Sequence, residues 1–392
     1  MKMIKTDSLG VTTSLIGFGA MRLPQTSDNA ADIDAEKTQA MVDAAIAGGV
    51  NYFDTAYVYH GGKSEEILRT TLTSKYKRED YYLADKLSVF ASKSADEMKA
   101  MFGVQLERCG ADYFDFYLLH SVGRERYEQQ KAFGAFDYMK KLKDSGKVRH
   151  IGFSFHDKAD MLEFTLDNHP EFEFVQLQLN YLDWDRMGAK DIYRVARERG
   201  LPIIVMEPVK GGALAKLPDA AAKLSGGLAD RGGQAAFALR FTASLEGVMT
   251  VLSGMSSIEQ VTGNINTFSD FKKFTDGDTK LVSRVLEELR KISLIQCTSC
   301  GYCLDGCPAK IDIPKLFAIY NDWKNGGALF PAQIAYAGFD VKADSCVSCG
   351  ACAKVCPQSI DIPAELAKLH EAIPNFDLIP PEVKENLAAK QA

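Results

Sequence analysis

Eight short apolar runs rich in β-branched and aromatic residues recur along the first 254 residues: SLIGFG (14–19), NYFDTA (51–56), YYLADKL (81–87), YFDFYLLH (113–120), VRHIGFS (148–154), FVQLQLN (174–180), PIIVMEP (202–208) and VMTVLSG (248–254). Amphipathic helical stretches lie between them, for example EKTQAMVDAAIAGG (36–49), SADEMKAMFGVQLERCG (94–110) and QAAFALRFTASLEG (234–247). Glycines near several helix ends suit the left-handed stop position. Strands that alternate with helices build a parallel sheet, and eight such units predict an α/β fold closed into a (β/α)8 TIM barrel. An open doubly wound sheet competes, but no GxGxxG follows the first strand.

One regularity points to chemistry. Asp54, Lys86, His120 and Ser154 each end a strand run, at steps of 32, 34 and 34 residues, about one strand–helix unit each. In a barrel the four polar groups would crowd onto the C-terminal rim, where barrel active sites lie, with Asp54, Lys86 and His120 over adjacent strands. Singly, each has an ordinary explanation: a helix-capping Asp, a solvated Lys, a satisfied His. The shared phase weighs against all three together.

The segments FDTAYVYHGGKSEE (53–66), ADKLS (84–88), YLLHS (117–121) and GFSF (152–155) resemble the signature segments of aldo-keto reductases, over roughly residues 5–270 and in the expected order. The resemblance implies a nicotinamide-dependent oxidoreductase that interconverts a carbonyl and an alcohol, with a tetrad of Asp54, Tyr59, Lys86 and His120. Carbonyl reduction needs a proton on the developing alkoxide. Tyr59 is the expected donor, chosen over Tyr57 by its spacing of five from the Asp. Lys86 is expected to lower the phenol's pKa, Asp54 to orient Lys86, and His120 to direct the carbonyl oxygen.

The same resemblance carries over the cofactor contacts. Ser154 and Gln178 would meet the carboxamide, and Gly19, Ala20 and Met21 would lie along the cofactor. Pro208, Lys210 and Gly211 would meet the pyrophosphate, and Ser256, Gln260 and Asn264 the adenosine half. Two departures accompany it. Phe155 and His156 follow Ser154 where the family often has Asn, which turns His156 toward the substrate. Gly254 and Gln260 stand where NADPH-preferring relatives often place Lys and Arg, weakening capture of a 2′-phosphate, so NADPH and NADH both stay open. Tyr57, His156, Trp184 and Phe90 are the expected pocket lining.

Eight of the nine cysteines fall after residue 296, which sets an expected division into residues 1–285 and 286–392. CTSCGYCLDGCPAKIDIP (297–314) and CVSCGACAKVCPQSIDIP (346–363) each read C-x2-C-x2-C-x3-C-P, the spacing of [4Fe–4S] ligation. Zinc more often takes two separated CxxC pairs. The resemblance to bacterial-type dicluster ferredoxins implies that the fourth cysteine crosses over: Cys297, Cys300 and Cys303 with Cys356, and Cys346, Cys349 and Cys352 with Cys307. Helical patterns at 315–326, 330–338 and 364–373 predict a small, mainly α-helical ferredoxin-like domain. Cys109 reads as a buried apolar residue.

Net charge is −6 with both signs interspersed, which argues against nucleic acid or an anionic membrane as partner. No apolar stretch approaches a signal or membrane segment, and the expected location is the cytoplasm, where thiols stay reduced and clustered cysteines mean metal rather than disulfides. A hydride moves two electrons, whereas each cluster moves one. One reading therefore couples the barrel to a one-electron carrier such as a ferredoxin or flavodoxin, with a flavin splitting the pair. A second makes the chain a nicotinamide-dependent reductase with structural or sensing clusters. A third makes it a redox or nucleotide sensor with little turnover.

Overall fold

The computed structural model describes residues 1–27, 29–224, 232–292, 294–325 and 327–373. Their contacts divide them into two units. One comprises the described residues of Met1–Lys210 and Gly227–Lys280, the other those of Gly211–Gly226 and Leu281–Ala392. The sequence gives no sign that 211–226 groups with the cysteine-rich part. Within that unit Gly211 (φ +62°) lies so close to Thr298 that a Cβ would stand 2.7 Å from the threonine Cα.

The strands are β1 (Met3–Thr6), β2 (Val11–Ser14), β3 (Ile16–Gly19), β4 (Tyr52–Asp54), β5 (Tyr82–Leu87), β6 (Phe114–Val122), β7 (Val148–Phe155), β8 (Phe174–Gln178), β9 (Ile203–Met206) and β10 (Val248–Gly254). The helices are α1 (Ala35–Ala47), α2 (Lys63–Leu68), α3 (Ala95–Cys109), α4 (Arg124–Ala132), α5 (Ala135–Asp144), α6 (Ala159–Asn168), α7 (Asp183–Arg186), α8 (Ala189–Glu198), α9 (Asp219–Leu224), α10 (Gly233–Ala243), α11 (Ile258–Ser269), α12 (Asp276–Arg290), α13 (Ile313–Lys324), α14 (Leu329–Ala337), α15 (Ala351–Lys354) and α16 (Ile362–Ala372).

Among the described residues, β3 to β10 form a closed barrel of parallel strands in chain order, with β10 returning to β3. Side chains alternate across each strand. Tyr52, Ala84, Phe116, Leu118, Phe174 and Ile204 fill the barrel interior. Leu83, Leu87, Tyr117, Leu119, Phe153 and Val175 face outward into the larger core. The strand register puts Asp54, Lys86, His120 and Ser154 on the same, inward face. Pairing is staggered: Asp54 lies opposite Ala84, and Lys86 opposite Leu118. Each functional residue therefore sits two positions past its neighbour's partner, which offsets the tilt of strands in a barrel. At Gly152 the interior has no room for a side chain, since a Cβ would stand 2.5 Å from Phe174 O.

The run 14–19 is not one strand. β2 ends at Ser14 and β3 begins at Ile16. Ser14 Oγ donates to Ile16 O at 2.7 Å, and Ser14 N–H donates to Asn51 Oδ1 at 2.7 Å, which fixes the break. β1 and β2 form an antiparallel hairpin whose Leu9 and Val11 join the interior cluster at the N-terminal end of the barrel.

In the second unit, Ile311, Ile313, Leu316, Phe317, Leu366 and Leu369 form a core in which Cys303 and Cys352 are buried. The two cysteine phrases fold alike. Positive φ recurs at Ser299 and Ser348, Gly301 and Gly350, and Lys310 and Ser359. Asp312 and Asp361 each cap a helix with a proline in its first turn, Pro314 in α13 and Pro363 in α16. Among the described residues, no helix is long and apolar enough to cross a membrane.

Candidate active site

At the C-terminal mouth of the barrel, Lys86 is fully buried and its ammonium donates to Asp54 Oδ1 at 2.5 Å and to Thr55 O at 2.7 Å. The same ammonium stands 4.8 Å from the centroid of the Tyr59 ring, and that ring meets His120 edge to face at 6.0 Å. The four groups come together from β4, the turn after it, β5 and β6. The turn at Tyr59–Gly62 is left-handed at His60 (φ 52°), Gly61 and Gly62. His60 holds it by accepting from Leu23 N–H at Nε2 (3.1 Å) while Nδ1 contacts Ala30 O (2.7 Å).

The electrostatics correct one expectation. Tyr59 is not made more acidic: burial and the carboxylates of Asp54, Glu207 and Asp85 push its phenol well above the ordinary value, against Arg22. The Lys86 charge is balanced by Asp54 at contact distance, so it does not act on Tyr59 as an isolated cation. Burial also raises Asp54, against the pull of Lys86. Tyr59 therefore keeps its proton in the resting site. His120 is held neutral, first by burial and then by the charges of Lys86, Arg126 and His156. Ser88 Oγ shares a hydrogen with His120 Nδ1 at 2.7 Å, fixing the ring.

Around this centre lie Phe90 and His156, which were expected, and Arg126, Asp85, Glu65 and Gln105, which were not. Phe90, expected in the pocket, has its ring 5.3 Å from that of His120, and Arg126 lies over Phe90 at 3.9 Å. Burial, Arg126 and Lys86 push the His156 imidazole down to about 3. On the outer side of β5, Asp85 receives Gln105 Nε2 at 2.7 Å, and the same amide donates to Lys86 O at 3.0 Å. Burial and the neighbouring Glu65 push the Asp85 carboxyl well up, and Glu65 is raised by its own burial against the pull of Arg108 at 3.1 Å. Cys109, buried as expected, donates its thiol toward Asp85 Oδ2 at 3.6 Å. The signal was present: the aspartate of ADKLS must face opposite to Lys86, into packed helices, where a carboxylate needs partners.

The expected cofactor residues fall into three groups. Ser154 is buried and its Oγ accepts from Ser121 N–H at 2.8 Å, while Ala20 N–H donates to Asp54 O at 2.8 Å beside Gly19 and Met21. Gln178 Nε2 donates to Asp183 Oδ2 at 2.8 Å, which directs its Oε1 elsewhere. Lys210, beyond Pro208, is buried in a two-pronged ion pair with Asp183 at 2.8 Å rather than standing as a solvated cation. Ser256 and Gln260 are exposed at the start of α11, joined by Ser256 N–H donating to Gln260 Oε1 at 2.8 Å, whereas Asn264 is buried and donates to Ser253 Oγ at 3.0 Å. Arg22, absent from the sequence reading, lies against Gly254 and pairs with Glu207 at 3.2 Å. Of the other pocket candidates, Tyr57 stacks under Arg108 at 4.7 Å, and Trp184 packs on Tyr193 and Phe241 at 5.4 Å from each.

In the second unit, two pockets divide the thiols. Cys297, Cys300, Cys303 and Cys356 line the first; Cys307, Cys346, Cys349 and Cys352 line the second. Each fourth cysteine has crossed to the other copy's cavity. Ser299 N–H donates to Cys297 Sγ at 3.4 Å, and left-handed residues recur at the same places in both copies. Burial and the neighbouring thiolates of Cys300, Cys297 and Cys356 push the Cys303 thiol up to about 12, a crowding that bound iron would relieve. Among the described residues, no three Cys, His, Asp or Glu side chains could hold a single metal ion. Four thiolates around each cavity are the donor set of an iron–sulfur cluster.

A closed parallel barrel with Asp54, Lys86, Tyr59 and His120 at its mouth defines a barrel oxidoreductase. The model of the aldo/keto reductase family matches residues 15–287, and the chain belongs to that family. A 4Fe-4S dicluster domain model matches residues 296–360. L-galactose dehydrogenase of Arabidopsis thaliana is 26% identical over 313 residues, covering 72% of this chain and 94% of that protein. Among solved structures, aldo-keto reductase AKR11C1 from Bacillus halodurans, in its holo form, aligns with a TM-score of 0.59 at 22% identity, over 73% of this chain and 96% of that one. An aldo-keto reductase from Klebsiella pneumoniae in complex with NADPH aligns with a TM-score of 0.58 at 21% identity, over the same shares.

Proposed function

We propose that the barrel interconverts a small-molecule carbonyl and its alcohol with NADPH or NADH, and that the second unit holds two [4Fe–4S] clusters that link this reaction to one-electron transfer. The observation that carries the reading is the meeting of Tyr59, the Lys86–Asp54 pair and His120 at one mouth. The nicotinamide supplies a hydride when bound. Tyr59, kept protonated by its surroundings, donates its hydroxyl proton to the carbonyl oxygen as charge develops there. Lys86, anchored by Asp54 and Thr55 O, stabilises the phenolate left behind and stays in place for the reverse reaction. Neutral His120, oriented by Ser88, donates a hydrogen bond that fixes the oxygen. Ser154 and the Oε1 of Gln178 support a carboxamide site, and Arg22 adds a cation beside the first strand's end. The NADPH named with the Klebsiella pneumoniae protein favours the phosphorylated cofactor, while Gln260 keeps NADH in play.

The eight thiolates would hold the clusters in the two crossed sets, and the clusters supply one-electron steps. Coupling them to a hydride requires a group that splits an electron pair, for which a flavin here or on a ferredoxin- or flavodoxin-type partner is the candidate. Full-length protein, purified without oxygen, should contain about eight iron atoms per chain by the two-cubane reading. Adding NADPH or NADH should bleach the broad iron–sulfur absorbance without a mediator. Carbonyl turnover with no bleaching would favour structural or sensing clusters. No turnover, and no effect of Tyr59→Phe, would favour the sensor.

A further inference from the structure

One imidazole joins the loop between β3 and α1 to the turn that carries Tyr59. His60 follows Tyr59 directly, is 7% exposed, and has a left-handed backbone (φ 52°), a region that His tolerates better than most residues. Its Nε2 stands 3.1 Å from Leu23 N, and its Nδ1 2.7 Å from Ala30 O. A backbone N–H only donates and a carbonyl oxygen only accepts. The ring is therefore the neutral Nδ1–H tautomer, with Nε2 as the acceptor. The next residue, Gly61, also lies against this loop, since a Cβ there would stand 3.7 Å from Ala31 Cβ.

The Leu23 amide belongs to the peptide unit whose carbonyl is that of Arg22, and Arg22 O accepts from Ser256 Oγ at 2.6 Å. One peptide plane is thus held at both edges, by the turn after β4 on one side and by the residues just before α11 on the other. The chain leading to it is fixed as well: Ala20 N–H donates to Asp54 O at 2.8 Å, and Ala20 O accepts from Ser64 Oγ at 2.9 Å. The Arg22 side chain lies against Gly254 and pairs with Glu207 at 3.2 Å. The clamped peptide therefore stands between two sets of residues expected along the nucleotide, Gly19 to Met21 before it and Ser256 beyond it.

We propose that His60 is a positioning residue for nucleotide binding: it fixes the Arg22–Leu23 peptide between the Tyr59 turn and Ser256, so that the wall along the dinucleotide and the proton donor keep one spacing. A dinucleotide then meets a formed wall, and binding does not have to order a loose loop. The nucleotide rests on the reductase reading; the clamp between loop and turn does not.

The test uses the full chain with its clusters, NADPH and NADH as probes, and two replacements that separate the ring's two bonds. In His60→Asn the amide nitrogen takes the place of Nδ1, and Asn tolerates the left-handed turn, but nothing reaches Leu23 N–H. In His60→Gln the side chain is long enough for Oε1 to accept from Leu23 N–H. Dissociation constants are read from intrinsic fluorescence without a carbonyl, kcat with benzaldehyde, and hydrogen exchange of residues 21–27 by mass spectrometry. His60→Asn should weaken nucleotide binding about five- to tenfold, the effect of one hydrogen bond, and speed exchange in residues 21–27, with a smaller fall in kcat. His60→Gln should restore most of the binding and of the protection.

Unchanged binding in His60→Asn overturns the proposal. So does a fall in kcat with binding intact, which would confine His60 to the Tyr59 turn. A His60→Gln protein as weak as His60→Asn overturns it too, because the Leu23 bond would then carry no effect. If neither nucleotide binds the wild type, the reductase reading falls and exchange decides the clamp. Exchange faster in His60→Asn but not in His60→Gln keeps the clamp, and equal rates in all three proteins remove it.

Discussion

The barrel mouth and the cysteine unit both gather polar side chains, but by opposite routes. At the mouth, Asp54, Lys86 and His120 come from three strands, and every one of them has a protein partner: Lys86 has two oxygens, and His120 has Ser88. In the second unit, each cavity draws three thiols from one short phrase and one from its repeat, and Cys303 and Cys352 are themselves part of the hydrophobic core. At the barrel mouth, Lys86 and His120 are held by protein groups. If the thiols of the cysteine unit hold the proposed clusters, binding there would be coupled to folding.

Removing iron is the severest challenge to that contrast. Anaerobic chelation should abolish cooperative structure in residues 295–373 while leaving the barrel's unfolding transition in place; limited proteolysis with mass spectrometry reads both, and a barrel that opened at the same time would break the comparison. Next in size, Tyr59→Phe should lower carbonyl turnover about 10²- to 10⁴-fold, the range of general acid catalysis, without altering nucleotide binding or iron content. Lys86→Met leaves a buried carboxylate unmatched and should destabilise the barrel by about 3–5 kcal/mol in urea unfolding. Adding Asp54→Asn should recover much of that loss, because the penalty belongs to the unpaired charge. Gly152→Ala should cost about 1–3 kcal/mol by forcing a methyl against Phe174.

The smallest effect concerns pH. The Asp85–Glu65 pair has its folded-state pKa values raised, so its contribution is complete below the unfolded carboxyl pKa and is lost as pH rises through the folded values. Barrel stability should fall with rising pH by at most about 1.4 kcal/mol per unit and per proton across that window, and Asp85→Asn should flatten the slope. A slope of the opposite sign would show that the pair is ionised.

Much of the barrel was legible because period and parity are local properties. The near-equal steps between Asp54, Lys86 and His120 already gave them one phase of the strand–helix repeat, and the strand runs at 81–87 and 148–154 lie within a residue of β5 and β7. The hairpin of β1 and β2 was not legible, since the break at Leu15 depends on Asn51, far along the chain. Lys210, expected at the pyrophosphate, has as its counter-charge Asp183, which stands 27 positions away in sequence and meets it only in space.

By itself, the sequence determined the repeat of two cysteine phrases, their left-handed glycines and capped helices, and the alternation that closes a barrel, all set by neighbours a few residues apart. Tertiary structure alone decided the sign of the Tyr59 shift, the upward shifts of Asp85 and Glu65, and the place of Arg126 above Phe90. Those depend on how deeply a group is buried and which charge it meets at a few ångströms, quantities that chain order does not carry.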